Sequence, residues 1–174
     1  MGASSLMGSC SSLAVRRSSG EAMGSSCTCG SCRPSERGDC LRAHGCCMLI
    51  DCHSMPSSSL GRDPEMKADV VLGDRYGTAC APALIDGFEA AFRARGFRVV
   101  RNKPYAGGFI TEHYGEPNLD RHALQIEVNR GLYMNEVSLA TTPGFPALVG
   151  ALRAVIVEVA RDLAEVVPRQ IAAE

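Results

Sequence analysis

Short apolar blocks alternate with polar turns along the chain from about residue 46 onward. Three of these blocks, residues 46–52 (CCMLIDC), 69–72 (DVVL) and 97–101 (FRVVR), have the length and composition of buried strands. A fourth block, residues 122–129 (HALQIEVN), alternates between small or polar side chains and branched apolar ones. This alternation predicts a strand with Gln125 and Glu127 on one face and an apolar opposite face.

Two further segments carry apolar residues at helical spacing. The first begins at Pro82, a residue that the first turn of a helix tolerates, and stops before Gly96, which is typical of a helix end. The second covers about residues 146–167 and is followed by Pro168. Alternating strands and helices predict an α/β domain with a right-handed βαβ unit and a largely parallel sheet. The Gly-rich residues 105–115 predict no regular structure, except around their FIT sequence.

The first part of the 174-residue chain differs in composition. Of residues 1–47, 25 are Ser, Gly or Cys, and the few strongly apolar residues follow no period. Burial in such a segment cannot offset the loss of conformational entropy, so we expect disorder in residues 1–45 and a folded domain in residues 46–174. The irregular spacing of its cysteines disfavours a prepared metal site or a disulfide framework.

Charge and hydropathy exclude several classes of protein. Lys and Arg number 18 against 19 Asp and Glu, without a basic block, which argues against nucleic-acid binding through phosphate contacts. No run of 18 apolar residues is present, and the N-terminus lacks the apolar region of a secretory signal. We therefore expect a cytoplasmic protein that binds neither nucleic acid nor membrane.

Two groups of polar residues near strand ends are candidates for chemistry. Ligands of α/β sheets bind at the carboxyl ends of strands, where Asp51 and His53 are predicted to lie. A histidine there can bind a metal while a carboxylate orients its ring, or it can simply cap the strand. Glu127 precedes Arg130 closely; a carboxylate beside a metal can deprotonate water, and an arginine can bind a substrate carboxylate. The alternative is that Glu127 belongs to a solvated strand face.

Glycine-rich segments offer a third candidate. Residues 73–78 (GDRYGT) include Arg75 and lie between a predicted strand and a predicted helix. Glycines at such a turn let backbone N–H groups approach an anion, although a tight turn without a ligand explains them equally simply. Residues 102–108 are either a flexible substrate loop or a cluster of turns.

Four motifs, in this order and spacing, resemble the N-formylglutamate amidohydrolase (N-formylglutamate deformylase) family. They are LIDCHSMPS (49–57), VVLGDRYGTACAP (70–82), NKPYAGGFITEHYGEP (102–117) and HALQIEVNRGLYM (122–134). The resemblance implies a three-layer α/β/α fold with a mostly parallel or mixed central sheet, related to zinc carboxypeptidases and the aspartoacylases. It also implies zinc-dependent hydrolysis of N-formyl-L-glutamate to formate and L-glutamate, a step of histidine degradation.

The same resemblance implies roles for individual residues. His53 is similar to a zinc-ligand histidine, with Asp51 as the carboxylate that contacts it. Glu127 is similar in placement to the general base and acid, with Glu112 as the alternative.

For the substrate, an N-acyl amino acid, the resemblance suggests a carboxylate clamp. This clamp consists of Arg130 with Asn129, and Arg75 is a further candidate for substrate binding.

One departure from the family concerns the segment before the LIDCHS motif. Family members carry the other zinc ligands there, whereas nothing in residues 1–43 matches, and a catalytic zinc normally takes three protein ligands. We therefore expect residues 1 to about 42 to be an out-of-frame translation, and the domain to be incomplete at its N-terminus. An exposed sheet edge would favour self-association, and the chain would have little activity. The alternative function is a non-catalytic remnant or binding protein whose Cys-rich arm binds metal.

Overall fold

The fold is built around a central β-sheet. A computed structural model of the chain describes residues 11–15, 41–42, 45–60 and 67–166. The sheet has five strands: β1 (Ser11–Val15), β2 (Cys47–Met55), β3 (Val70–Gly73), β4 (Val99–Arg101) and β5 (Arg121–Asn129). Their order in space is β1-β2-β5-β3-β4. The last strand in the sequence therefore lies at the centre of the sheet.

The sheet is mixed. β2 pairs with β5 and β3 pairs with β4 in parallel, whereas β5 pairs with β3 and β1 pairs with β2 in antiparallel orientation. The prediction of an α/β domain is confirmed, and of the two sheet arrangements that we expect, mostly parallel or mixed, the structure has the mixed one. Apolar composition indicates that a strand is buried and carries no information about its direction relative to a distant neighbour.

Within residues 67–166, three α-helices accompany the sheet: α1 (Pro82–Ala94), α2 (Phe109–Tyr114) and α3 (Gly144–Val166). Helix α1 joins the parallel strands β3 and β4, which is the predicted strand–helix–strand unit. It begins at Pro82, and Gly96 follows it with a φ of 83°, as the sequence predicts. Helix α2 lies in the Gly-rich segment where regular structure was expected only around the FIT sequence, and it extends through Tyr114.

The main hydrophobic core lies between one face of the sheet and helices α1 and α3. Strand β5 contributes Leu124, Ile126 and Val128 to it, which confirms the predicted apolar face. The opposite face carries a smaller apolar cluster and the polar side chains of Gln125 and Glu127. The main core contains, among others, Met48, Ile50, Val70, Leu72, Phe88, Phe92, Val155 and Val159.

The segment for which we expect disorder contains one strand. Ser11–Val15 pairs with β2, with Ser11 opposite Cys52 and Val15 opposite Met48, so the expectation does not hold for these five residues. Residues 1–10, 16–40 and 43–44 lie outside the described residues, as do the 27–32 cysteine cluster and His44. Within the described ranges, no helix combines the length and the apolar character that crossing a membrane requires.

Candidate active site

The pairing of β2 with β5 brings the predicted catalytic residues together. Asp51 lies opposite Gln125, and His53 lies opposite Glu127. Residues in register on neighbouring strands project to the same face, so these four polar side chains share one side of the sheet. Strand β2 runs to Met55, three residues beyond its predicted end, and His53 therefore lies within the strand rather than after it.

Asp51 and His53 form a carboxylate–imidazole pair. The Nε2 atom of His53 lies 2.9 Å from Oδ2 of Asp51. The Asp51 side chain is 2% exposed and the His53 side chain is 41% exposed, so a buried carboxylate holds a ring that solvent reaches. Such a contact fixes the tautomer and the orientation of an imidazole. The contact that our interpretation requires is present, and the metal role of His53 stays a prediction.

Glu127 is buried, so the alternative of a solvated strand face is wrong. The residue is 6% exposed, and its Oε1 accepts a 2.8 Å hydrogen bond from Nε2 of Gln125. Burial raises the pKa of the Glu127 carboxyl above its usual range, although His53, Gln125 and Arg130 oppose the effect. A carboxylate whose pKa is raised toward neutrality accepts a proton more effectively, which suits a general base.

Arg130 lies at the carboxyl ends of the two paired strands. Its Nε donates to Oγ of Ser54 at 3.2 Å, and its Nη2 donates to the Ser54 carbonyl oxygen at 3.3 Å. The positive charge also lowers the pKa of Glu127, which places the guanidinium within electrostatic reach of that carboxylate. A guanidinium has five N–H donors, so these two contacts leave others with which it can bind a substrate carboxylate.

Asn129 makes contacts within the protein instead. Its Oδ1 accepts hydrogen bonds from Oγ of Ser57 at 2.7 Å and from the backbone N–H of Gly131 at 2.9 Å. Its Nδ2 donates to the carbonyl oxygen of Ala68 at 3.2 Å. The side chain thus connects the turns that follow β2 and β5, and this arrangement gives no support to the predicted contact with substrate.

Arg75 lies in the turn after β3, where the two Gly-rich segments meet. Its backbone N–H donates to the carbonyl oxygen of Ala106 at 2.7 Å, and its Nη2 lies 3.0 Å from Oε1 of Glu112. A Cβ atom at Gly73 would stand 2.7 Å from the Ala106 carbonyl carbon, so only glycine permits this close approach. Glu112 is 62% exposed in its pair with Arg75, whereas Glu127 is buried, which favours Glu127 as the base.

Gln125 is the functional candidate to which the sequence assigned no role. Its Oε1 accepts a 2.7 Å hydrogen bond from the backbone N–H of Gly108, while its Nε2 donates to Glu127. The alternation along β5 places Gln125 beside Glu127 and is the signal that could have identified it. The contact with Gly108 brings together residues 17 positions apart, which no local pattern reveals.

The described residues do not by themselves complete a zinc site. Within the ranges described, no group of three His, Cys, Asp or Glu side chains is arranged to hold a metal ion. A catalytic zinc takes three protein ligands, and among the described residues of β2 and β5 His53 is the one imidazole on this face of the sheet. The site is therefore compatible with part of a ligand set and does not fit a whole one.

Cys52 and Cys80 are poor substitutes for the other ligands. Burial, together with the smaller effect of the Asp51 charge, raises the pKa of the Cys52 thiol to about 11. Burial likewise raises the pKa of Cys80 to about 12. Since a metal binds the thiolate, both environments disfavour the form that would coordinate zinc.

Comparisons with known proteins place these features in one family. The family model described as N-formylglutamate amidohydrolase matches residues 36–134, so the expectation that nothing in residues 1–43 matches the family is wrong for residues 36–43. An N-formylglutamate deformylase from Pseudomonas aeruginosa is 38% identical over 97 residues, and one from Pseudomonas putida is 34% identical over 93. Each alignment covers 53% of this chain and 35% of the relative. The chain thus spans about a third of the length of the curated relatives that it matches.

A solved structure extends the likeness. The crystal structure of N-formylglutamate amidohydrolase from Ralstonia eutropha JMP134 is similar with a TM-score of 0.70 and 35% sequence identity. The similarity covers 75% of this chain and 48% of the solved one. It therefore extends over more of the chain than the alignments with the two curated relatives.

Proposed function

Because the chain belongs to the N-formylglutamate amidohydrolase family, we propose that its site hydrolyses the formyl amide of N-formyl-L-glutamate to formate and L-glutamate. The names of the two curated relatives and of the solved neighbour support this substrate. The observation that carries the proposal is the burial of Glu127 directly opposite His53 in the paired strands. A site of this kind would serve histidine degradation.

In this proposal Glu127 is the proton carrier. Its carboxylate takes a proton from the attacking water and later returns it to the departing amine, and its raised pKa makes it a stronger base than an exposed carboxylate. Gln125 keeps one carboxylate oxygen in place through its 2.8 Å hydrogen bond. The other oxygen of Glu127 is the one that contacts the water.

Two arginines complement a substrate with two carboxylates. Arg130 lies close enough to Glu127 to affect its pKa and has N–H donors to spare, so it binds one carboxylate. Arg75 lies in the Gly-rich turn after β3. It releases its exposed partner Glu112 and binds the second carboxylate of the substrate instead. An exposed ion pair of this kind is weak, with a typical stability of about 0–1 kcal/mol, so a substrate carboxylate can replace it.

We further propose that the reaction depends on zinc and that His53 is one of its ligands, held by Asp51. Bound zinc supplies a Lewis acid and lowers the pKa of its water. On the polar face of strands β2 and β5, the described residues provide this one imidazole, so we propose that the remaining ligands come from other parts of the protein. We also propose that the complete domain has the three-layer α/β/α fold related to zinc carboxypeptidases.

Formate release by the purified full chain, measured beside its zinc content, tests the proposal. We expect low but measurable turnover of N-formyl-L-glutamate, together with bound zinc, in the natural chain. Glu127→Gln keeps an acceptor oxygen for Gln125 but cannot take a proton, so kcat should fall by about 10²–10⁴-fold with zinc content unchanged. His53→Ala should lose both zinc and turnover, whereas Glu116→Gln, a change at an exposed carboxylate, should behave as the natural chain does.

Two results would contradict this function. If the Glu127→Gln variant still releases formate at the natural rate, Glu127 is not the base. Zinc bound without turnover, and retained in His53→Ala, would instead support a non-catalytic protein that binds metal through its Cys-rich segment. The incomplete ligand set among the described residues is the observation that favours this second candidate.

A further inference from the structure

We propose that Gln125 is a positioning residue that connects the Glu127 carboxylate to the Gly-rich segment of residues 105–108, so that the base and this segment are held as one unit. The proposal rests on the proposed role of Glu127 as the general base. It concerns a side chain that contacts the base and the backbone of the segment rather than the substrate.

The two hydrogen bonds of Gln125 define its orientation. The backbone N–H of Gly108 can only donate, and it lies 2.7 Å from Oε1 of Gln125. An ionised Glu127 carboxylate can only accept, and it lies 2.8 Å from Nε2. A flipped amide would place donor against donor and oxygen against oxygen, so each end of Gln125 has one suitable partner. At 6% exposure, water cannot readily replace either partner.

The segment is fixed tightly at Gly108. The Gly108 carbonyl oxygen accepts hydrogen bonds from Oγ1 of Thr111 at 2.8 Å and from the backbone N–H of Glu112 at 3.1 Å. A Cβ atom at Gly108 would stand 3.3 Å from Oε1 of Gln125, so the backbone lies directly against the amide. Any movement of the Gln125 side chain is therefore transmitted to this peptide.

The same segment, with the helix that follows it, also contacts Arg75. Gly108 precedes helix α2, and Glu112 on that helix forms the 3.0 Å ion pair with Arg75. The backbone of Arg75 is also bonded to Ala106 at 2.7 Å. Gln125 therefore connects the base, Glu127, to the segment that contacts Arg75, the proposed substrate-binding arginine.

A double-mutant cycle read by NMR tests the connection without requiring activity. In the ¹⁵N-labelled full chain, Glu127→Ala removes the acceptor of Gln125, and we expect hydrogen exchange at the Gly108 amide to accelerate by about threefold or more. In a Gln125→Met background, where both hydrogen bonds are already lost, the same Glu127→Ala change should leave Gly108 exchange unaltered. Equal effects in the two backgrounds, or no effect in either, would overturn the proposal.

Steady-state kinetics separate positioning of the base from simple support of the loop. Gln125→Glu keeps the acceptor for Gly108 but replaces the donor to Glu127 with a second carboxylate, so kcat should fall by about 10–100-fold while KM changes little. Thr111→Val loosens Gly108 but keeps both hydrogen bonds of Gln125, so it should raise KM and lower kcat less than Gln125→Glu does. An unchanged kcat in Gln125→Glu would show a merely structural residue. If the natural chain itself releases no formate, the proposed function fails, and the NMR cycle still decides the role of Gln125.

Discussion

Single residues in the site combine polarity with burial. Asp51, Gln125 and Glu127 are each exposed by 6% or less, and in the described part of the chain no buried side-chain polar atom lacks a hydrogen-bond partner. Leaving one such atom unpaired costs about 1–3 kcal/mol. The polar residues of this face are therefore mutually dependent, and a change at one of them alters the environment of the next.

His122 shows the same principle outside the site. It is 6% exposed, and its Nδ1 accepts a hydrogen bond from the Ala81 N–H at 3.4 Å, which requires an unprotonated nitrogen. Burial lowers the pKa of His122 below its usual value, although Asp120 opposes the effect. The folded chain then binds this proton less readily than the unfolded chain. The free energy of unfolding therefore has its full value at pH values above about 6.5, and it falls as the pH drops below that value.

Urea denaturation between pH 8 and pH 5 tests this pH dependence. We expect His122→Asn, whose amide oxygen can accept the same hydrogen bond, to reduce the loss of stability on acidification. The contribution of one histidine is at most about 1.4 kcal/mol per pH unit. His113→Asn, a change at an exposed histidine, should keep the natural slope. The same slope in His122→Asn as in the natural chain would contradict the prediction.

At the scale of elements, two glycines differ in whether the structure has room for a side chain at their position. Gly107 precedes α2 with a φ of 116°, and a Cβ atom there would clash with Oγ1 of Thr111. Gly150 lies inside helix α3, where a Cβ atom would meet no heavy atom within 4 Å. The first glycine is required by the backbone and by the neighbouring side chain, whereas the second only weakens a helix.

Alanine substitutions at these two positions should change stability in opposite directions. Gly107→Ala should lower the free energy of unfolding by about 1–3 kcal/mol, because the backbone becomes strained. Gly150→Ala should raise it by about 0.5–1 kcal/mol, because alanine loses less conformational entropy in a helix. Urea midpoints of the two variants and the natural chain provide the comparison. A stabilised Gly107→Ala would show that the segment relaxes freely and is not held at Gly108.

For the whole molecule, stability depends on the face of the sheet that lies opposite the site. Phe88 of helix α1 is 1% exposed and packs in the core with α3, whereas Phe109 is 68% exposed. The folded state of a domain is typically more stable than the unfolded state by about 5–15 kcal/mol, so the loss of one large core side chain is a substantial fraction.

Denaturation of two phenylalanine variants tests how much each face of the sheet contributes to the free energy of unfolding. Phe88→Ala should lower the free energy of unfolding by about 3–5 kcal/mol, since it removes buried surface and leaves a cavity. Phe109→Ala should change it by about 0.5 kcal/mol or less, because its ring is already in contact with water. Comparable losses in the two variants would mean that the site face contributes as much to stability as the helical face.

The local elements of this protein follow from sequence alone. The start of α1 at Pro82, the glycine after its end and the alternating faces of β5 are consequences of side-chain and backbone preferences within one short segment. The four motifs also identified the family. Helix α2 was not foreseen, since the sequence indicated only regular structure of unspecified type around FIT. The backbone at its start is fixed by the contact of Gly108 with Gln125, which joins distant parts of the chain.

Only the tertiary structure decided which residues meet. Periodicity told us that Glu127 lies on the polar face of its strand, but the parallel pairing with β2 placed His53 opposite it and left it buried. The direction and partner of each strand depend on hydrogen bonds between distant segments, which local pattern does not encode. For the same reason no local pattern indicated that the amide of Asn129 joins two turns, and its role as a substrate contact stays a prediction of the resemblance.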